Sequence, residues 1–215
     1  MGTLGRRPIK SRGTFWAKAM AELLVKAGVS PNAISIMSVL FALIGMCCLL
    51  AARYFSSWLL LVGAAACILL RLLCNLLDGM VAVEGGRHSA LGDLFNELPD
   101  RFSDLVLIVP LGYLCHESYG PVLGWFAGVL ALATAYLRAF SAVQGCISFV
   151  GPMAKSHRMA LEVAGLLLAV LLGNWISRSL IFYLVLVLMI LGCCVTLLRR
   201  GHKLVVHMRG GNGHG

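Results

Sequence analysis

The sequence predicts an all-α membrane protein, with six transmembrane helices preceded by an N-terminal amphipathic interfacial helix. Three observations carry this. The 215 residues are 60% hydrophobic and only 13% charged, whereas a soluble domain is near half apolar and a quarter charged. One soluble core of this length cannot hide the excess, but lipid can. The apolar residues also come in continuous runs of about the length of a span, roughly 20 residues, rather than in the alternation of a β-barrel.

The elements follow in order. In residues 14–27, Trp16, Met20, Leu23, Leu24 and Ala27 recur at helical spacing, with Lys18, Glu22 and Lys26 on the other side. This reads as a helix lying in the membrane interface with Trp16 as an anchor. Gly28 can end it, and Ser30-Pro31 can start the next helix as N-cap and first turn. Span one is the uncharged run Ala33 to Ala52, and span six is Leu180 to Leu198. Between them, Trp58 to Leu77 is interrupted by Arg71 and Asn75. Phe102 to Cys115 is short and extends backward through residues 90–101. Pro121 to Leu137 leads into Arg138, and Met159 to Ile176 contains Glu162. Residues 84–89 form a glycine-containing turn in which Ser89 can cap the incoming helix. The domain plan is therefore 1–30 as an N-terminal segment, 31–200 as the six-helix domain and 201–215 as a tail. No cleavable signal peptide is expected, because the first 30 residues are basic and polar. There is no internal repeat.

The formal charge of +9 raises the question of nucleic acid, and its distribution answers it. Arg6, Arg7, Lys10, Arg12, Lys18 and Lys26 lie before span one, and Arg199, Arg200, Lys203 and Arg209 follow span six. The loops on the same side add Arg87, Arg101, Lys155 and Arg158; the opposite loops offer Arg53 and Arg178. This asymmetry places both termini in the cytoplasm and points to anionic lipid headgroups rather than nucleic acid. The compact chain suits a bacterial inner (cytoplasmic) membrane. The eight cysteines include no Cys-x-x-Cys pair and read as small packing residues. His202, His207 and His214 fall in a Gly-rich tail read as solvated.

Carboxylates carry the sharper signal. Only nine residues are acidic, and six of them lie between 78 and 104: Asp78, Glu84, Asp93, Glu97, Asp100 and Asp104. Ionisable groups at membrane depth are costly and stay where they pair, bind metal or handle protons. Asn75, Asp78, Gly79 and Ala82 share a broad helical face, and Gly92, Asn96 and Asp100 recur every four residues on the next helix. The turn between the helices lets these faces oppose, forming a cavity lined by Asn75, Asp78, Asn96 and Asp100. All four offer oxygen, which suits Mg2+, Mn2+ or Ca2+ rather than zinc. Gly79, Ala82 and Gly92 leave room for a bulky ligand.

The segment Asn75-Leu-Leu-Asp78-Gly79-Met-Val-Ala82-Val83, followed by Gly92-Asp-Leu-Phe-Asn96-Glu-Leu-Pro-Asp100, resembles the signature D-x-x-D-G-x-x-A-R…G-x-x-x-D-x-x-x-D of CDP-alcohol phosphotransferases. The six-span plan, the lead helix and the Val-Ser-Pro-Asn approach to span one are similar too, so the resemblance covers nearly the whole chain. Three positions depart: Asn75 and Asn96 stand where the family has aspartates, and Val83 where it has arginine. Two carboxylates balance fewer divalent ions than four, so one or two Mg2+ or Mn2+ ions are expected. Asp93 and Glu97 border the same face, and Arg71 or Arg87 can replace the missing cation; a buried ion pair is the other reading of Arg71.

The resemblance implies transfer of a phosphatidyl group from a CDP-linked lipid such as CDP-diacylglycerol to a small alcohol, with release of CMP, in phospholipid biosynthesis. Asp78 would bind metal and diphosphate. Asp100 would bind metal or take the hydroxyl proton. Asn75, Gly79, Ala82, Arg87 and Gly92 would border the nucleotide, and a homodimer is implied. Pro99 either frees a carbonyl beside Asp100 or simply kinks the helix. Lys155 and Arg158, before span five, make a phosphate site suited to a phosphorylated acceptor, or else are positive-inside charge. Arg138 can join the site, and Glu162 can pair with Arg158. Two other readings remain: a non-catalytic CDP-lipid or phospholipid binder, suggested by Asn75 and Asn96, and a small transporter, which would need a polar path through the membrane.

Overall fold

The computed structural model describes residues 14–84 and 90–211, with side chains for all of these except 83–96 and 211. Among the described residues there are seven helices and no strands: α1 (Phe15–Lys26), α2 (Pro31–Tyr54), α3 (Trp58–Glu84), α4 (Ala90–Tyr113), α5 (Gly120–Val143), α6 (Lys155–Leu172) and α7 (Arg178–Gly211). The start and stop signals act as their chemistry requires. Gly28 takes φ +73° after α1, a conformation that only glycine adopts without strain. Ser30 caps α2 by accepting from the Ala33 N–H at 3.2 Å, with Pro31 in the first turn. The turn residues 85–89, and with them Arg87 and Ser89, lie outside the described residues.

Among the described residues four helices are long and apolar enough to cross a membrane: α2, α3 as far as Ala82, α5, and α7 as far as Gly210. The other two expected spans correspond to α4 and α6, which fall short of that apolarity because they carry the charges. One face of each packs into the core. Val106, Leu107, Ile108, Val109 and Leu111 of α4 and Met159, Leu166 and Ala169 of α6 are buried in the core. α7 passes the expected boundary at residue 200 without a break. His202 and His207 therefore belong to a helix, and the His207 ring lies 3.2 Å from the Gln144 carbonyl.

Helices approach closely where side chains are small, the usual way to pack apolar helices. Gly112 of α4 meets the Gly124 backbone of α5, where a Cβ would have no room, and Gly165 of α6 meets Val185 of α7. Outward-facing residues are large and apolar, among them Ile44, Leu59, Trp125, Leu188 and Leu191, each at least half exposed. α1 packs on α3 through its small residues. Ala17 and Ala21 are fully buried with Leu77, Met80 and Val81 of α3, while Trp16 and Leu23 face out. All eight cysteines are free, and Cys67, Cys115, Cys146 and Cys193 are buried.

Candidate active site

α2, α3, α4 and α6 bring their polar residues to one end of the bundle. Asp78 on α3 is 3% exposed, and the Ser35 hydroxyl of α2 lies 3.2 Å from its Oδ2. Ser35 Oγ is also 3.2 Å from the Pro31 carbonyl, and its single proton serves one of the two at a time. One turn earlier on α3, Asn75 Oδ1 accepts from the Ser38 hydroxyl at 3.2 Å, while its buried amide nitrogen has no partner among the described residues.

Asp100 on α4 faces the same region. Its Oδ2 is 2.5 Å from the Lys155 ammonium at the start of α6, and its Oδ1 is 3.5 Å from Arg71. Arg71 Nη2 also donates to the Asp100 carbonyl at 3.0 Å. Of the two sequence readings of Arg71, the buried ion pair is the one observed. The side chain is fully buried and its main partner is Asp104 Oδ1, at 2.9 Å. The Arg71 guanidinium thus ties α3 to α4 and orients Asp100 from behind.

Asp104 is the residue that sequence reasoning passed over. Its spacing assigns it no role, yet it is the centre of the buried charge network. Arg158 approaches its other oxygen at 2.7 Å and also donates to the Met153 carbonyl (3.1 Å) and to Thr134 (3.2 Å). Arg158 is 3% exposed, so its charge is committed inward. It does not pair with Glu162 as expected: Glu162 is 2% exposed and its Oε2 has no hydrogen-bond partner. The only local hint was the four-residue step from Asp100 to Asp104; partners 33 and 54 residues away leave no mark in local spacing. Arg138 reaches the cluster through Glu97, which also pairs with Arg101.

The loop before α6 is fixed by α7. Thr196 accepts from the Met153 N–H at 3.0 Å, and Arg200 donates to the Val150 and Thr134 carbonyls at 3.0 and 2.7 Å. Gly151, at φ +119°, lies directly on Thr196. This anchoring sets the position of Lys155 and Arg158.

Asp78, Asp100, Asn75 and Lys155 are thus gathered at one end, with Gly79 and Ala82 on the same stretch of α3. Gly92 and Asn96 belong to α4 by backbone, but their surroundings fall outside the described residues, as does Arg87. Among the described residues no three His, Cys, Asp or Glu converge on a metal position. The two carboxylates and the amide are hard oxygen donors, a set that fits a divalent cation. The opposite end has a cleft lined by Arg53, Ser56, Ser57, His116 and Arg178, with no carboxylate in its wall. Beside it, the Ser179 hydroxyl donates to Glu117 at 2.8 Å and holds that carboxyl below its usual range.

No family model matches the chain. The inner membrane protein YnbA of Escherichia coli K12 is 29% identical over 144 residues, which cover 63% of this chain and 65% of YnbA, just under two thirds of that relative's length. Among solved structures, phosphatidylinositol phosphate synthase of Mycobacterium tuberculosis in complex with manganese and citrate superposes with a TM-score of 0.72 at 18% identity, covering 87% of this chain and 88% of that one. The same synthase with CDP-DAG bound gives 0.68 at 18% identity, covering 87% and 92%. At that identity the likeness establishes architecture: the chain has the helical fold of the Mycobacterium tuberculosis phosphatidylinositol phosphate synthase.

Proposed function

We propose that the chain is an integral membrane CDP-alcohol phosphotransferase of phospholipid biosynthesis. It moves a phosphatidyl group from a CDP-linked lipid such as CDP-diacylglycerol to an alcohol and releases CMP. The observation that carries this is the gathering of Asp78 and Asp100, at their signature spacing, at one end of a fold whose solved relative is described with CDP-DAG bound.

Asn75, Asp78, Asn96 and Asp100 would hold Mg2+ or Mn2+, which when bound screens the diphosphate and stabilises the leaving oxygen. Asp100 also takes the hydroxyl proton as the acceptor oxygen attacks phosphorus and the diphosphate bond to CMP breaks. Arg71 and Lys155 hold the Asp100 carboxylate in place from two sides, so little reorientation is needed before attack. Gly79, Ala82 and Gly92 would give the nucleotide room, and Arg87 would face its phosphates. Arg158 is taken up by Asp104, so of the two cations that open α6 it is Lys155 that meets a phosphorylated acceptor. The charged end faces the cytoplasm, both termini lie there, six helices cross the inner membrane, and the working unit is a homodimer.

The test is CMP release by purified protein given CDP-diacylglycerol, Mg2+ or Mn2+, and a panel of plain and phosphorylated alcohols. Acceptor-dependent release that disappears in Asp100→Asn is the expected result. Asn75 and Asn96 favour a second reading, a CDP-lipid binder without catalysis. Donor binding with no CMP release from any acceptor would establish that reading instead.

A further inference from the structure

We infer that Lys155 is a resident cation of this site, its ammonium standing where a second divalent ion would otherwise be needed, so that each chain takes one Mg2+ or Mn2+. The inference rests on reading the site as a metal-assisted phosphotransferase and deepens that reading.

Position is the first support. The Lys155 ammonium is 2.5 Å from Asp100 Oδ2, and the side chain remains 23% exposed. It also acts electrostatically on Asp78, Glu97 and Asp104, so it stands amid the carboxylates rather than at their edge. Among the described residues the neighbouring arginines are engaged with other carboxylates: Arg71 and Arg158 chiefly with Asp104, Arg101 and Arg138 with Glu97.

Charge balance is the second. Two-metal phosphoryl-transfer sites clamp both the attacking and the leaving oxygen with divalent ions, and such ions need a matching number of carboxylates. Among the described residues Asp78 and Asp100 balance one divalent ion, Glu97 is taken up by Arg101 and Arg138, and Asn75 adds a neutral oxygen already occupied by Ser38. A fixed monovalent ammonium beside Asp100 adds positive charge for the diphosphate without demanding further carboxylates.

Placement on the helix is the third. Lys155 opens α6, whose first turn holds no acidic residue, and a cation there is opposed by the helix dipole. Arg158, in the same turn, has Asp104 to offset that cost. For Lys155 the offset is Asp100, and the loop anchored on Thr196 and Arg200 delivers it there. A lysine on a flexible stem can also shift from carboxylate to phosphate as substrate arrives.

Lys155 and the metal ion therefore compete for Asp100. The experiment counts bound Mn2+ from the loss of the free-ion electron paramagnetic resonance signal, on purified full-length protein, without and with CDP-diacylglycerol, against Asp100→Asn as background. Wild type should bind one Mn2+ per chain. Lys155→Gln should bind Mn2+ at least about tenfold more tightly, or acquire a second ion, because a neighbouring positive charge has gone; it should nonetheless lose most CMP release. Lys155→Arg should keep the single ion. Two Mn2+ per wild-type chain would overturn the inference, as would none, or an unchanged count and affinity in Lys155→Gln. The wild-type count needs no variant to fold and no turnover. One Mn2+ on a chain that releases no CMP would therefore leave this inference standing while the transferase reading falls.

Discussion

Asp104 shows how one residue can decide the interior of a membrane protein. Its two oxygens meet guanidiniums from α3 and α6 at 2.9 and 2.7 Å, and it is 5% exposed. Removing one partner of a buried pair leaves the other charges uncompensated, at about 3–5 kcal/mol. Asp104→Asn should therefore destabilise the protein by roughly that amount, read as a lowered unfolding midpoint in detergent. A variant within about 1 kcal/mol of wild type would mean that Arg71 and Arg158 find other partners. Asp100 differs in kind: at 17% side-chain exposure it is the more open of the two, as its proposed catalytic role requires. Asp100→Asn is expected to abolish CMP release while changing stability much less than Asp104→Asn, and equal destabilisation by the two would argue against dividing their roles.

At the scale of elements, the bundle solves a problem that α4 and α6 cannot solve alone. Each carries charges that a lipid-facing surface would not tolerate, and each turns its charged face toward its neighbours so that the charges meet inside. The turn between α5 and α6 sets the register of α6. At Gly151 a Cβ would fall 2.5 Å from the Thr196 methyl and 2.9 Å from its Cα, in a backbone conformation with φ +119°. Gly151→Ala should cost about 1–3 kcal/mol from backbone strain alone, and it should lower CMP release by displacing Lys155. Limited proteolysis supplies an independent readout: cleavage within residues 144–154 should accelerate. Unchanged cleavage and turnover would show that the loop is held by other contacts.

For the whole molecule, the proposed topology makes a direct prediction. Reporter fusions after Gln144 and at the C-terminus should be active only in the cytoplasm, and fusions after Glu117 and Ser177 only outside it. If α4 and α6 did not cross, the fusion after Glu117 would report from the cytoplasm and the six-span plan would fall. α7 adds a geometric point. Its 34 residues span roughly 50 Å, well beyond the hydrocarbon core of about 30 Å. Its last turns, with Arg199, Lys203 and Arg209, therefore project past the bilayer on the side of the site.

The sequence by itself determined the helices and the two principal carboxylates. Length and apolarity are local properties, as are the Ser30-Pro31 cap, the Gly28 stop and the i, i+4 spacing that sets Asp78 and Asp100 on helical faces. The partners of charges were decided by the tertiary structure alone. Arg71 and Arg158 could each be read from sequence as catalytic, phosphate-binding or paired, because a charge at membrane depth requires a partner without specifying which. Packing α3, α4 and α6 together settled it: Asp104 lies within hydrogen-bond reach of both guanidiniums, while Glu162, adjacent in sequence terms, does not bond Arg158. The same packing brought Lys155 to Asp100, since the distance between two chain-remote groups is set by how helices cross and by the anchored loop between them.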